Sequence, residues 1–155
     1  MKQIPLTRGF FALVDDEDFE ELSKYKWSTE ISGKTFYAKR KERGKTVKMH
    51  RQILGLTDKS VITDHENRNG LDNQRHNIRA CNFNENQRNK GIYKNNSSGF
   101  KGVSFCLKTK KYKSQIRVGG HLVYLGYFKD AITAAKAYNE AAKKYHGEFA
   151  NLNEI

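Results

Sequence analysis

The chain has 155 residues, with 29 Lys and Arg against 17 Asp and Glu and a net charge of +12. This length suits one domain or two small ones, and no apolar run is long enough to cross a bilayer, so we expect no membrane partner. Cys81 and Cys106 lie far apart without a CxxC pair, which argues against a zinc finger and fits a reducing cytoplasm. The basic surplus indicates a polyanionic partner, because Lys and Arg release counterions from phosphates.

The first third of the chain reads as short strands and helices. "QIPLTRGFFALV" predicts a hairpin, and "DDEDFEELSKYKW" predicts a helix because acidic residues precede apolar residues at helical spacing. "KTFYAKRKERGKTVKMHRQILG" predicts a second hairpin that closes near Arg43-Gly44, followed by a short helix from about His50. The opening "MKQIPLTRGFF" has no apolar signal core, so export is not expected. We interpret the first 45 residues as scaffold with added basic surface.

The next segment predicts the order strand, loop, strand, helix. "VIT" and "IRAC" are short strands, and "ENRNGLDNQRHN" between them is a loop with an Asn-Gly turn. "NFNENQRNK" begins a helix, since Asn82 as N-cap and Glu85 three residues later form a capping box.

Asp64 and His65 end the first of these strands, and together they suit phosphodiester hydrolysis. Such a reaction needs a base for water and a divalent ion beside the phosphate; His is a good neutral base, and Mg²⁺ needs only one or two protein carboxylates. Adjacent residues on a regular strand point to opposite faces, so both serve one site only if the backbone turns after them. Asn86, one turn into the helix, is the candidate ligand from the opposite side. An Asn-rich turn without a metal is the alternative.

A three-part pattern crosses this segment: Asp64-His65, Asn77-Ile78-Arg79 and Glu85-Asn86. It resembles the HNH nuclease motif, in the HNN form of phage and intron-encoded homing endonucleases. The resemblance implies a ββα-metal finger at about residues 60–90, with His65 as the general base and Asp64 and Asn86 as ligands of one divalent ion. It also implies that Asn77 holds the loop by hydrogen bonds and so orients the His65 backbone. Because Asn86 replaces the last His of the motif, Mg²⁺ or Mn²⁺ is expected rather than Zn²⁺. The other histidines, which we leave unassigned, are His50, His76, His121 and His146.

The polar stretch "GIYKNNSSGFKG" predicts a boundary, with a linker at 93–97 between domains at 1–92 and 98–155. Beyond it, three strands with turns near 109–111 and 119–120 precede an Ala-rich helix that ends at Gly147. We predict that this helix packs on the sheet through one face, formed by Ala131, Ala134, Ala135, Tyr138, Ala142 and Tyr145.

Four stretches of this second domain are "GFKGVSF", "IRV", "YLGYF" and "AAKAYNEAAKKYHGEFANLN". They resemble the AP2 DNA-binding domain of plant transcription factors and phage HNH proteins. The resemblance implies a three-stranded antiparallel sheet packed on one helix, with the sheet in the major groove. The positions that match its DNA contacts are Lys101, Ser104, Gln115, Arg117 and Tyr124. Ser104 and Tyr124 differ from the plant members, so their sequence preference is not transferred.

Together the resemblances imply an α+β protein in which an HNH nuclease domain on a small β scaffold is joined to an AP2-like domain. We expect a metal-dependent homing-type endonuclease that binds double-stranded DNA, nicks it as a monomer and uses one Mg²⁺ or Mn²⁺ ion. We expect the protein to be cytoplasmic. If a phage encodes it, this is the cytoplasm of the bacterial host. One alternative is a sequence-specific DNA-binding regulator with an inactive HNH module. Another is a non-specific basic binder, which would show little preference among sequences at any ionic strength.

Overall fold

A computed structural model describes residues 1–155, which form two compact units, Met1–Asn86 and Gln87–Ile155. The division falls ahead of the linker expected at 93–97. The N-terminal unit combines several small antiparallel sheets with helices and the C-terminal unit combines one such sheet with helices, so the α+β expectation is confirmed at that level. None of the helices has both the length and the apolar character needed to span a bilayer.

The first half of the N-terminal unit contains a hairpin, a three-stranded antiparallel sheet and two short helices. Both predicted hairpins and both predicted helices are confirmed, and the second hairpin turns at Arg43 and Gly44, which have φ values of 47° and 79°. The strand that opens the three-stranded sheet was not predicted. The elements are β1 (Lys2–Pro5), β2 (Phe11–Val14), α1 (Asp16–Ser23), β3 (Ser28–Ser32), β4 (Thr35–Glu42), β5 (Lys45–Lys48) and α2 (Met49–Ile53).

One apolar core holds these elements together. Arg40 extends into it with its guanidinium carbon 3.9 Å from the ring centre of Tyr25, and its head donates to the Oε1 of Gln52. The buried members of this core are Ile4, Leu6, Ala12, Val14, Leu22, Trp27, Ala38, Met49, Ile53 and Ile78. Since Ile78 comes from the segment that follows, the core also anchors the region where the candidate site lies.

That segment, residues 62–89, is called here the hairpin–helix segment. It consists of β6 (Ile62–His65), β7 (Ile78–Cys81) and α3 (Phe83–Asn89), and so has the predicted order of strand, loop, strand and helix. The two strands pair antiparallel, with Asp64 opposite Arg79 and His65 opposite Ile78. The capping box is confirmed, because the Asn82 N–H donates to Glu85 Oε2 at 2.8 Å and the Glu85 N–H donates to Asn82 Oδ1 at 3.0 Å.

The C-terminal unit is a three-stranded antiparallel sheet with one long helix packed on it. Its elements are β8 (Val103–Cys106), β9 (Lys111–Val118), β10 (His121–Phe128) and α4 (Ala131–His146), with β9 in the centre. Asp130 caps the helix by accepting the Thr133 N–H at 2.7 Å, and Gly147 ends it with a φ of 56°.

The buried face of α4 differs from the prediction in its last turns. Tyr145 was expected to be buried but is 40% exposed. His146 is buried instead, and its Nε2 lies 2.9 Å from the carbonyl oxygen of Arg117 on β9. This contact fixes which side of the last turn meets the sheet. The buried helix residues are Ala134, Ala135, Tyr138, Ala141, Ala142 and His146.

Candidate functional site

Asp64 lies near the end of β6 and forms an ion pair with Arg79, its cross-strand neighbour. Arg79 Nε and Nη2 donate to Asp64 Oδ2 at 3.0 and 2.8 Å. The Asp64 side chain is 6% exposed and that of Arg79 is 16% exposed. Glu66 places a second negative charge near Arg79, because its Oε2 lies 3.7 Å from Arg79 Nη1. The register of β6 and β7 therefore places the guanidinium of Arg79 beside Asp64, the carboxylate that was predicted to bind metal.

His65, the last residue of β6, is buried among aromatic and polar side chains. Its ring centre is 5.1 Å from that of His50 and 5.8 Å from that of Tyr37, and its Nε2 lies 3.4 Å from Asn73 Oδ1. Burial lowers the pKa of His65, although the contact with Asn73 and the charges of Asp64 and Asp72 oppose that change. The imidazole is therefore neutral near pH 7, which is the state that a general base needs.

His50, the second residue of α2, was left without a role by the sequence but contacts the predicted base. Burial lowers the pKa of His50 to about 3, helped by the charge that His65 carries once it is protonated and by the charges of Lys48 and Arg51. Its Nδ1 is buried without a hydrogen-bond partner. The Tyr37 ring packs against both imidazoles. Nothing in the local sequence indicates this cluster, because its members come from three separate elements.

Asn77 connects both ends of the loop between β6 and β7. Its Oδ1 accepts the Asn67 N–H at 2.9 Å, and its Nδ2 donates to the Asp72 carbonyl oxygen at 2.7 Å. Its own carbonyl oxygen accepts the Glu66 N–H at 2.8 Å. The residue that follows His65 is thus held by a hydrogen bond to a buried asparagine.

The same loop packs closely on β4. A Cβ added to Gly70 would lie 2.5 Å from the carbonyl oxygen of Phe36 and 2.6 Å from the ring of Tyr37. Only a glycine permits this approach, which places the loop against the tyrosine that contacts His65.

Asn86 lies one turn into α3, where its N–H donates to the Asn82 carbonyl oxygen at 3.1 Å. Cys81 lies just before this helix. Burial, and then the negative charges of Asp64 and Glu85, raise the pKa of its thiol to about 11. Asp64 on β6 and Glu85 in the first turn of α3 therefore both raise the pKa of the Cys81 thiol. The three residues come from adjoining elements of the hairpin–helix segment.

The donor atoms decide which metal ion the segment could hold. No three His, Cys, Asp or Glu side chains form a group that could hold a metal by themselves. Mg²⁺ needs fewer protein ligands, because it keeps several waters and takes one or two carboxylates with substrate oxygens. The Asp64 carboxylate already faces a cation, Arg79, and the Asn86 amide offers a second hard oxygen. These residues fit a hard divalent ion better than Zn²⁺.

Four of the five predicted DNA-contact residues lie on one face of the C-terminal sheet. Alternation along β9 buries Ser114 and Ile116, which leaves Gln115 and Arg117 on the face away from α4. Tyr124, opposite Gln115 on β10, is 56% exposed. We call this surface the open face; its predicted members are Ser104, Gln115, Arg117 and Tyr124.

Two further residues of the open face were not assigned to DNA contact. Tyr127 and Lys113 face each other on β10 and β9, and the Tyr127 ring centre is 5.5 Å from that of Tyr124. Arg117 is held in place on the same face, since its Nη1 donates to the Gly120 carbonyl oxygen at 2.8 Å. The face therefore combines aromatic rings with positive charge.

Lys101 is not on the open face. It precedes β8, and its Nζ donates to the carbonyl oxygens of Arg88 and Lys90. Its N–H donates to Asn153 Oδ1 at 2.6 Å. The structure therefore separates this residue from the other four predicted contacts.

Comparison with known proteins agrees with both resemblances. The chain is 31% identical over 153 residues to an uncharacterized HNH endonuclease of Acanthamoeba polyphaga mimivirus, covering 96% of this chain and 77% of that protein. It is 42% identical over 59 residues to an AP2-like ethylene-responsive transcription factor of Arabidopsis thaliana and 44% identical over 57 residues to an APETALA2-like protein of Oryza sativa. These two matches cover 38% and 37% of this chain but only 12% and 13% of the relatives.

No family model and no solved structure matches the chain. The similarity to the mimivirus protein nevertheless extends over almost the whole chain. The chain belongs to the HNH endonuclease family, and part of it is similar to AP2 proteins.

Proposed function

We propose that the protein is a metal-dependent DNA endonuclease that cuts with the hairpin–helix segment and holds DNA with the open face. The observation that carries this proposal is the position of His65. A buried, neutral imidazole stands one residue after a carboxylate, at the strand end that Asn77 helps to fix. The mimivirus relative is named an HNH endonuclease, which supports the same reaction class.

Each residue has a distinct role in this proposal. His65 takes a proton from the attacking water, because its lowered pKa keeps the ring unprotonated near pH 7. Asp64 and Asn86 would hold the divalent ion, Mg²⁺ or Mn²⁺. When bound, such an ion supplies positive charge that stabilises the phosphate and the leaving oxygen. Asn77 keeps the loop in place, so that the backbone after His65 does not shift.

The open face supplies affinity for double-stranded DNA. Arg pairs with guanine and Gln with adenine in the major groove, so Arg117 and Gln115 would read base edges. Tyr124 would pack on a sugar or base. The net charge of +12 adds phosphate contacts that position the duplex without reading it. The names of the partial relatives, an ethylene-responsive transcription factor and an APETALA2-like protein, support a DNA-binding role.

One active site and one binding module together suggest a homing-type nuclease. With a single hairpin–helix segment, a monomer cuts one strand in each binding event. A second candidate function is a sequence-specific regulator whose HNH module does not cut. Its support is the burial of His65 and the Asp64–Arg79 ion pair, which together close the site in this structure.

Supercoiled plasmid incubated in Mg²⁺ or in EDTA distinguishes the two functions. The nuclease proposal predicts nicked circles in Mg²⁺, none in EDTA, and DNA binding in both. Binding without cutting in either Mg²⁺ or Mn²⁺ would favour the regulator. A monomer that converts supercoiled plasmid directly to linear DNA, without nicked circles, would contradict the proposal that it cuts one strand in each binding event.

A further inference from the structure

The contact between Arg79 and Asp64 differs from an ordinary surface ion pair. The two residues are directly opposite each other on β6 and β7, so the strand register fixes the guanidinium beside the carboxylate. Two nitrogen donors, Nε and Nη2, converge on the single oxygen Oδ2 at 3.0 and 2.8 Å. Both side chains are largely buried, where charges are screened much less than at the surface.

Asp64 is also the carboxylate that would hold the divalent ion in the proposed nuclease. A guanidinium and a divalent ion on one carboxylate repel each other, and the repulsion is strong in a site of low dielectric. An ion that enters this site must therefore compete with Arg79, whether it approaches Oδ2 or the other oxygen of the same group.

The displaced guanidinium has other anions within reach. Arg79 Nη1 is already 3.7 Å from Oε2 of Glu66, whose side chain is 61% exposed at the start of the loop. This contact directs one edge of the guanidinium toward solvent. A guanidinium also matches a phosphate closely, because its planar fork can donate to two phosphate oxygens at once.

We propose that Arg79 is an internal cation that occupies Asp64 until a divalent ion replaces it, and that the released guanidinium then binds a phosphate of the DNA. This inference rests on the proposed nuclease function. It makes Arg79 both a competitor of the metal in the free protein and a phosphate ligand in the complex. By linkage, a DNA phosphate that holds Arg79 raises the affinity of the site for the metal.

Mn²⁺ binding to the whole chain, measured by the electron paramagnetic resonance of free Mn²⁺ without DNA, tests the inference. Arg79→Gln removes the charge but keeps a side chain able to donate a hydrogen bond. We expect its Mn²⁺ affinity to be higher than that of the wild type by about tenfold. An affinity that is unchanged or lower would show that Arg79 only holds Asp64 in position, and would overturn the inference.

Arg75→Gln is the matched control. Arg75 is also an arginine paired through Nε and Nη2 with an aspartate, but its partner is Asp18, at 2.9 and 2.7 Å. Its replacement should leave Mn²⁺ affinity unchanged. An equal rise in both variants would show that net charge alone sets the affinity, which would also overturn the inference.

Titrations repeated with a phosphorothioate duplex test the second half of the proposal. DNA should raise the Mn²⁺ affinity of the wild type and should raise that of Arg79→Gln much less. Equal enhancement in both proteins would contradict a phosphate contact by Arg79. The fluorescence of Trp27, which is buried in the core of the N-terminal unit, shows whether each variant is folded.

Arg79→Met serves if Arg79→Gln does not fold, since it also removes the charge and keeps an unbranched side chain. It should likewise bind Mn²⁺ more tightly than the wild type, and unchanged or weaker binding would contradict the inference. If no protein binds Mn²⁺ and the wild type does not nick DNA, the proposed function and this inference fail together. If the wild type binds Mn²⁺ and nicks DNA while Arg79→Gln gains no affinity, only the role of Arg79 fails.

Discussion

The imidazole rings of His50 and His65 meet edge to face, with their centres 5.1 Å apart and their planes at 87°. Tyr37 packs against both rings, and both histidines are buried. A proton on one ring would repel a proton on the other in a site that water cannot screen. The fold therefore favours two neutral imidazoles, and this preference has a consequence for stability in acid.

The N-terminal unit should lose stability as the pH falls below 6.5. The pKa of His50 is 6.5 when unperturbed and about 3 in the folded chain, so the unfolded chain binds the proton first between these values. Stability from this group is complete above pH 6.5, and about 2 kcal/mol of it is lost by pH 5. Urea unfolding followed by Trp27 fluorescence at pH 7.5 and pH 5 measures the loss.

His50→Phe should reduce this pH dependence, because the variant has no proton to bind at that position. His65 remains and contributes in the same direction, so part of the dependence should persist. His76→Gln, which removes an exposed histidine, is the control and should behave as the wild type. If the stability of His50→Phe depends on pH as strongly as that of the wild type, His50 is not the source of this loss.

Replacing Asn77 with alanine should destabilise the N-terminal unit by about 2–4 kcal/mol, because two backbone groups of the loop lose their hydrogen-bond partner. The substitution removes the acceptor of the Asn67 N–H and the donor to the Asp72 carbonyl oxygen. Urea unfolding with Trp27 as the probe measures the effect. Asn84→Ala, at an exposed position of α3, should change stability by less than about 0.5 kcal/mol. Equal effects of the two substitutions would refute the structural role of Asn77.

Features with a local signal could be predicted from the sequence, and contacts between distant elements could not. The capping box at Asn82 and Glu85 was predicted because its two residues are three positions apart. The strand β3 was missed because only Thr29 of its five residues is buried, which leaves little hydrophobic alternation.

Around the candidate site, too, contacts between distant elements could not be predicted from the sequence. Asp64 and Arg79 were both within the recognised motif, yet their ion pair depends on a strand register set across a loop of twelve residues, 66–77. The contact of His50 with His65 joins α2 to β6, and no spacing in the sequence indicates it. The separation of Lys101 from the open face depends in the same way on carbonyl groups at 88 and 90.

Gly102→Ala should destabilise the C-terminal unit far more than Gly99→Ala. Both glycines have a positive φ, 75° and 76°, so each alanine bears a similar backbone strain of about 1–2 kcal/mol. A Cβ at 102 would lie 2.1 Å from the Tyr138 ring and 2.7 Å from the Gln115 carbonyl oxygen, whereas a Cβ at 99 meets nothing within 4 Å.

Thermal unfolding followed by far-UV circular dichroism, which reports on α4, measures the difference between the two glycine variants. We expect Gly102→Ala to cost at least about 2 kcal/mol more than Gly99→Ala, because the ring must move away from the sheet. Equal losses would mean that α4 does not pack on the sheet as closely as described.

Arg117→Ala should weaken binding to a selected DNA site by at least about tenfold, because it removes a guanidinium that lies on the open face, on the middle strand of the sheet. Fluorescence anisotropy in EDTA at one fixed salt concentration measures affinity without cleavage. Lys143→Ala removes the same charge from the exposed surface of α4, where Lys143 pairs with Glu140. This control should change affinity less than twofold. Equal weakening in both variants would show that binding depends on net charge and not on the open face.

The most direct test of the nuclease proposal is the rate at which His65→Ala nicks supercoiled DNA in Mg²⁺, measured beside His76→Ala. We expect His65→Ala to nick at least about a hundredfold more slowly, since it lacks the general base. It should retain the Trp27 fluorescence and the DNA affinity of the wild type. His76→Ala replaces an exposed histidine in the loop between β6 and β7. This variant should nick at the wild-type rate. A His65→Ala protein that nicks DNA as fast as the wild type would contradict the assignment of the base and, with it, the proposed site.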